Sequence, residues 1–230
     1  MLEKMNEFFS KRLDGYEEHQ LNAIDGAREF YPFTASLLPV QNGAAVLDLG
    51  CGTGLELEYY FKFNPAAKIT GIDLSEDMLA ALKQKFSGKA ITAIHGSYFD
   101  IPFEKDRYDA AVSVESLHHF TKEEKTSLYK KVLQALAADG FFILTDYFAR
   151  TEEEENFFRQ ELLRLKAAQG IIDNALYHYD TPLTAEHEMQ VLREAGFSCA
   201  EISAQWGATC TIKAVKEFRS MPGSVRKKRD

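Results

Sequence analysis

The chain has 230 residues, 45% of them hydrophobic and 27% charged, with a formal net charge of -8. This length suits one large core, or one core with a small appendage, and the acidic balance argues against a broad phosphate-binding surface and a nucleic-acid partner. No apolar run approaches the roughly 18 residues that cross a bilayer. The acidic start lacks a signal peptide's apolar stretch, and Cys51, Cys199 and Cys210 show no CxxC spacing, so a cytoplasmic protein with free thiols and no metal site is expected.

Residues 1–38 read as helical, with Phe8, Phe9, Leu13 and Tyr16 recurring at helical spacing and Pro39 closing the segment. From residue 44 short apolar runs alternate with helical patterns. Ala45–Leu49, Lys68–Asp73, Ala90–His95, Tyr108–Ser113 and Phe141–Thr145 suit strands buried on both faces of a parallel sheet. Between them, Ser75 caps a helix running to about Phe86, and Thr121 with Glu124 forms a capping box. Leu128, Val132, Leu133 and Leu136 follow on one side of that helix, and Asp139-Gly140 stops it before the fifth strand. Thr151 with Glu154 makes another box, ahead of Phe157, Phe158, Leu162 and Leu165. A helix over Glu186–Ala195 precedes two strands, Cys199–Ala204 and Ala208–Val215, joined near Gln205-Trp206-Gly207. A hairpin is antiparallel, so an otherwise parallel, doubly wound α/β sheet finishes with one reversed strand. Residues 221–230 form a basic tail.

The first strand runs into Gly50-Cys51-Gly52-Thr53-Gly54 and then a helix. Alternating glycines let the backbone turn sharply, and a helix N-terminus presents free N–H groups to an anion. A dinucleotide fingerprint places its third small residue at position 55 or 57, and both are leucine. Asp48, two residues before the first glycine, also lies outside that fingerprint and suits a cationic ammonium. An ammonium beside a carboxylate describes an amino-acid group.

Val46–Gly54 resembles the first motif of class I S-adenosylmethionine (SAM)-dependent methyltransferases almost letter for letter. Gly71–Ser75 is similar to their second motif, His95–Phe103 to the adenine-side segment, Tyr108–Phe120 to the fourth-strand motif and Gly140–Asp146 to the fifth. The ordered match covers residues 44 to about 148, and the small-molecule, ubiquinone/menaquinone-biosynthesis-like branch is the nearest in kind. The resemblance implies a seven-stranded sheet in the order 3-2-1-4-5-7-6 with the last strand antiparallel and helices on both faces. It divides the chain into a helical cap over 1–43, a SAM-binding domain over 44–220 with a substrate-lid insertion over 149–195, and the tail. Asp48, Gly50, Cys51, Gly52, Gly54, Asp73, Leu74, Met78, Ser97, Tyr98, Glu115 and Tyr16 are then expected to bind the cofactor, Asp73 through the ribose hydroxyls. One departure from the family is Ser97, which stands where an acid usually contacts the adenine amino group.

The implied reaction is in-line transfer of the sulfonium methyl to a small-molecule acceptor, releasing S-adenosylhomocysteine, in a monomer or homodimer. Tyr147, Tyr177 and Tyr179 are candidates for substrate contact, and Asp146, His178 and His118 for a general base. Adjacent residues such as His118 and His119 diverge on a helix or strand, so packing or capping is their expected role. An RNA or protein methyltransferase is the alternative and requires a basic face. A non-catalytic SAM-binding regulator is a third reading, and a dehydrogenase a fourth that the glycine spacing disfavours.

Overall fold

The structure is a computed structural model and describes residues 1–173 and 175–217. The basic tail expected over 221–230 lies outside the described residues. Strands β1 (Ala45–Leu49), β2 (Lys68–Asp73), β3 (Ala90–His95), β4 (Tyr108–Val114), β5 (Leu136–Tyr147), β6 (Cys199–Trp206) and β7 (Thr209–Val215) form one sheet. Their order is β3-β2-β1-β4-β5-β7-β6. Pairing is parallel from β3 through β5, and β7 runs antiparallel to both β5 and β6. The sheet is the expected one, reversed strand included.

Successive side chains of a strand leave opposite faces of the sheet. Here both faces are covered. Leu47 and Phe142 join one fully buried cluster with Leu128, Val132 and Leu192, while Val46 and Ile143 join a second with Phe30, Tyr60 and Leu82. That explains the unbroken apolar runs. The first cluster lies under α6 (Lys122–Ala135) and α8 (Ala185–Ala195). The second lies under α3 (Ala27–Ser36), α4 (Leu55–Phe63) and α5 (Glu76–Lys85). A buried ion pair locks α6 to α8: Lys125 Nζ stands 2.6 Å from Glu188 Oε2, and the Tyr129 hydroxyl donates to the same carboxylate. Removing one partner of such a pair costs about 3–5 kcal/mol.

Side-chain caps set the starts of the last four helices, from α5 onward. Ser75 Oγ accepts from Met78 N, Thr121 and Glu124 complete a reciprocal capping box, and Thr184 caps α8. At α7 (Glu152–Ala168) the expected box is half formed, because Glu154 reaches past Thr151 to accept from Arg150 N at 2.6 Å. No residue of α7 is fully buried, and Phe157 and Leu163 are each 62% exposed.

Two expected boundaries move. The helical stretch over 1–38 is three helices, α1 (Met5–Ser10), α2 (Tyr16–Ala23) and α3, broken where Gly15 and Gly26 take left-handed φ of 77° and 75°. The helix expected to run to Asp139-Gly140 ends at Ala135. Leu136 turns extended and pairs with Tyr108, and a register shift follows before Ala110 pairs with Phe141. Full burial of Leu136 in the sheet layer overrides its helical periodicity.

The N-terminal helices are fastened at the carboxyl ends of the strands. Met5 N donates to Leu176 O and His178 N to Glu3 O, which pairs the chain start with the segment before α8. Trp206, at the β6–β7 turn, packs against Gly26 and donates its indole N–H to Glu29 at 2.9 Å.

Candidate active site

The turn after β1 has its shape from two glycines. Gly50 has φ 73°, and a Cβ there would collide with the Ser116 side chain; Gly52 has φ 47°, and a Cβ there would meet only the Tyr16 hydroxyl, at 3.9 Å. Gly50 N and Cys51 N both donate to Ile72 O, so the turn is tied to the end of β2. Asp73, closing β2, accepts from Gly52 N through Oδ2 at 2.9 Å and from Ser75 N through Oδ1 at 2.8 Å. Burial holds its carboxyl above the ordinary range against the pull of those two donors.

A narrow pocket of about 50 Å³ opens over this turn. Eight of the residues expected to bind the cofactor line it: Tyr16, Gly50, Gly52, Asp73, Leu74, Met78, Tyr98 and Glu115. The other four lie off it. Cys51 is buried behind the turn against Gly71, and Gly54 packs on Leu82 and Phe86. Ser97 accepts from Phe99 N and so closes its own loop. Asp48 is 1% exposed and faces Glu56, which is 4% exposed. Burial and the partner carboxyl raise Asp48 well above the carboxylate range, and burial raises Glu56 too, so the pair holds a proton. Asp48 Oδ2 and Glu56 Oε1 are buried without a hydrogen-bond partner. Met5, Phe9, Val114, Ser116 and His119 also line the pocket, and the sequence reading did not place them there. Met5 and Phe9 carry only a helical-face signal, which says nothing about where that face docks.

Beside the narrow pocket lies a cavity of about 840 Å³, roofed by α1 and α2 and bounded by Tyr147, Arg150 and the β6–β7 turn. The two spaces share Phe9, Tyr16, Glu115 and His119. Glu115 ends β4 in the left-handed region at φ 49°, a conformation that a non-glycine residue keeps only where its surroundings over-determine it. Its N donates to Thr145 O, and Oε1 accepts from the Thr209 hydroxyl at 3.3 Å. Burial, then Asp146, push its carboxyl up to about 8.

The 3-10 turn Leu117–His119 corrects the expectation that its histidines diverge: their ring centroids are 4.0 Å apart. His118 Nδ1 is 2.5 Å from Asp146 Oδ1, and Asp146 also accepts from Leu117 N and Tyr147 N. Burial alone lowers the His118 imidazole, but Asp146 overrides it and lifts it to about 9. Burial, then His118, drive His119 down to about 4. Of the expected base and substrate residues, His118, His178 and Tyr147 line the cavity. Asp146 stands behind His118. Tyr177 turns away to donate to Asp173, and Tyr179 is not part of the lining. Phe8 stacks on His178 with centroids 3.4 Å apart, a pairing that no local pattern connects.

Residues 46–140 match the model of a methyltransferase domain. The chain is 29% identical over 118 residues to a fatty-acid O-methyltransferase of Mycolicibacterium smegmatis, covering 51% of this chain and 42% of the relative. It is 30% identical over 119 residues to an uncharacterized methyltransferase of Staphylococcus carnosus, covering 52% and 53%. The chain thus spans about half the length of these relatives. Human N-acetylserotonin methyltransferase, solved in complex with SAM, shares the fold at a TM-score of 0.60 and 18% identity, over 84% of this chain and 53% of that one.

Proposed function

We propose that this chain, which belongs to the class I SAM-dependent methyltransferases, transfers a methyl group to a small-molecule acceptor held in the 840 Å³ cavity. SAM is the family's methyl donor, and the residues at the glycine turn suit it. Gly52 leaves open space that a side chain would fill, and Asp73 keeps lone pairs free beyond its two backbone bonds. Asp73 would hold the ribose hydroxyls, and the turn's backbone the amino-acid carboxylate. The 50 Å³ pocket is small beside the roughly 300–1,000 Å³ of ordinary ligand sites. Met5 and Phe9 therefore have to draw back for the cofactor to enter.

Bound SAM supplies an electrophilic methyl on a positively charged sulfur. The chain's own task is to hold an acceptor in line with it and keep water out, and orientation alone is worth several kcal/mol. The observation that carries the reading is the cavity: it shares Phe9, Tyr16, Glu115 and His119 with the glycine-turn pocket and is lined by residues of α1 and α2. The net charge of -8 favours a small acceptor over a polyanion. The test has two parts. Calorimetry with SAM, S-adenosylhomocysteine and NAD is expected to give binding of the first two alone. A screen following S-adenosylhomocysteine release is expected to find turnover with hydroxyl- or carboxyl-bearing small molecules. Turnover with tRNA or protein only overturns the acceptor assignment, and tight SAM binding without any turnover makes the chain a SAM-binding regulator.

A further inference from the structure

The sequence shows no metal-ligand spacing, yet the fold brings Asp180 against the two histidines of the Leu117–His119 turn on one wall of the cavity. One donor atom each of His118, His119 and Asp180 lies within 4.8 Å of the others. Asp180 Oδ1 is 3.1 Å from His119 Nδ1 and 3.7 Å from His118 Nε2. Two donors about 2.1 Å from a common ion stand roughly 3.0 Å apart at a right angle and roughly 3.4 Å apart at the tetrahedral angle. The shorter observed separation falls between those values, and the longer exceeds the tetrahedral one by about 0.3 Å.

Three further observations set this cluster apart from a chance meeting of polar side chains. His118 commits Nδ1 to Asp146, which leaves Nε2 as the nitrogen that would bind an ion in exchange for its proton. A carboxylate behind a ligating histidine is the usual outer support of a metal site, fixing ring orientation and tautomer. Asp146 is itself held by Leu117 N and Tyr147 N. The Asp180 segment is tied to the histidine turn, because Thr181 N donates to His118 O at 2.7 Å. Finally, His119 is 7% exposed, and its Nδ1 lies 3.1 Å from Asp180 Oδ1 without the alignment of a well-formed hydrogen bond. A buried ring nitrogen without a well-formed bond is costly unless something else takes its lone pair.

We propose that His118, His119 and Asp180 bind a divalent first-row transition ion, of the zinc or ferrous class, on the acceptor side of the cavity. Two imidazoles and one carboxylate suit such an ion and leave coordination positions open. His118, His119 and Asp180 all line the cavity, so the open positions belong to an acceptor. The acceptor class is an oxygen ligand, a hydroxyl or carboxylate. A coordinated hydroxyl releases its proton to solvent more readily and presents an anionic oxygen. This role for the ion rests on the cavity being the acceptor site; the binding of the ion does not.

The experiment uses the full-length chain, stripped with chelator and titrated with Co²⁺ alone, with Zn²⁺ as competitor. Visible absorption and elemental analysis are expected to give one ion per chain, displaced by Zn²⁺. Asp180→Asn and His119→Ala are each expected to weaken binding at least tenfold, and Asp146→Asn, which removes the outer support, by about 10- to 100-fold. Circular dichroism reports whether each variant is folded, and Asp180→Asn, on a half-exposed side chain, serves if a histidine variant is not. Wild-type protein that binds no stoichiometric ion overturns the proposal. So does unchanged binding by folded Asp180→Asn, or an equal loss in His187→Ala, which would put the ion on the α7–α8 surface. Neither SAM nor an acceptor enters this measurement. A failed titration therefore leaves methyl transfer standing, and a metal-binding protein without turnover fails on the other count.

Discussion

The glycine-turn pocket and the cavity beside it are built by different means. The floor of the first comes largely from one stretch of chain, Gly50 to Tyr98, through backbone turns at strand ends. The second draws on Phe8 to Asp25, Glu115 to His119, Tyr147 to Arg150, His178 to Asp180 and Trp206 to Thr209, almost all through side chains. A strand-to-helix turn is shaped by local backbone geometry and keeps its form wherever the sheet is intact. A cavity under a docked cap depends on long-range contacts such as Lys4–Tyr177 pairing and the Trp206–Glu29 bond. The difference suits a common donor and a variable acceptor.

Three substitutions sharpen that contrast. Asp73→Ala has the largest expected effect. It removes the acceptor for Gly52 N and the ribose contact together, and SAM affinity is expected to fall by about 1–3 kcal/mol in calorimetry. An unchanged affinity breaks the ribose assignment. Trp206→Ala acts on the other half. Loss of its packing on Gly26 and its bond to Glu29 is expected to cost about 1–2 kcal/mol in thermal unfolding. Faster hydrogen exchange over residues 1–36 is expected to accompany it, with SAM affinity held. If SAM binding falls as far as in Asp73→Ala, the two halves are not separable.

Glu56→Gln has the smallest expected effect and is read as a pH profile. Burial raises both Asp48 and Glu56, so the folded chain keeps a proton that the unfolded chain gives up. Their contribution to stability is therefore whole below a pH of about 4, where the unfolded carboxyls are still protonated, and declines as pH rises through the raised values. The variant is expected to show a smaller decline in melting temperature between acid and neutral pH, the remainder coming from burial of Asp48. A profile parallel to the wild type refutes the shared proton.

The legible part of the site follows the same division. Gly50, Gly52 and Asp73 were readable because a tight turn after a buried strand demands those residue types at those offsets. Asp48 was readable by type but not by direction: β1 turns it toward Glu56, a partner eight residues on that no motif names. Tyr98 was found, yet Met5 and Phe9 beside it were not, since an apolar helical face does not say against what it packs. The pairing of Phe8 with His178 spans 170 of the 230 residues, and that of His119 with Asp180 spans 61.

By itself the sequence determined the alternation of strands and helices, the reversed final strand and the glycine turn, and through the ordered motifs the methyl-donor class. Each is a local matter of periodicity, capping or backbone freedom, which short segments carry on their own. Only the tertiary structure decided where Leu136 belongs, which expected residues face the pocket, and that two histidines and Asp180 meet beside the cavity. Those outcomes depend on burial and docking between distant segments, where apolar contact has no direction of its own and the packed layers choose the partners. The segment Asp48–Gly54 thus marks the donor side, while the acceptor side exists only once the N-terminal helices close over the ends of β4 and β5.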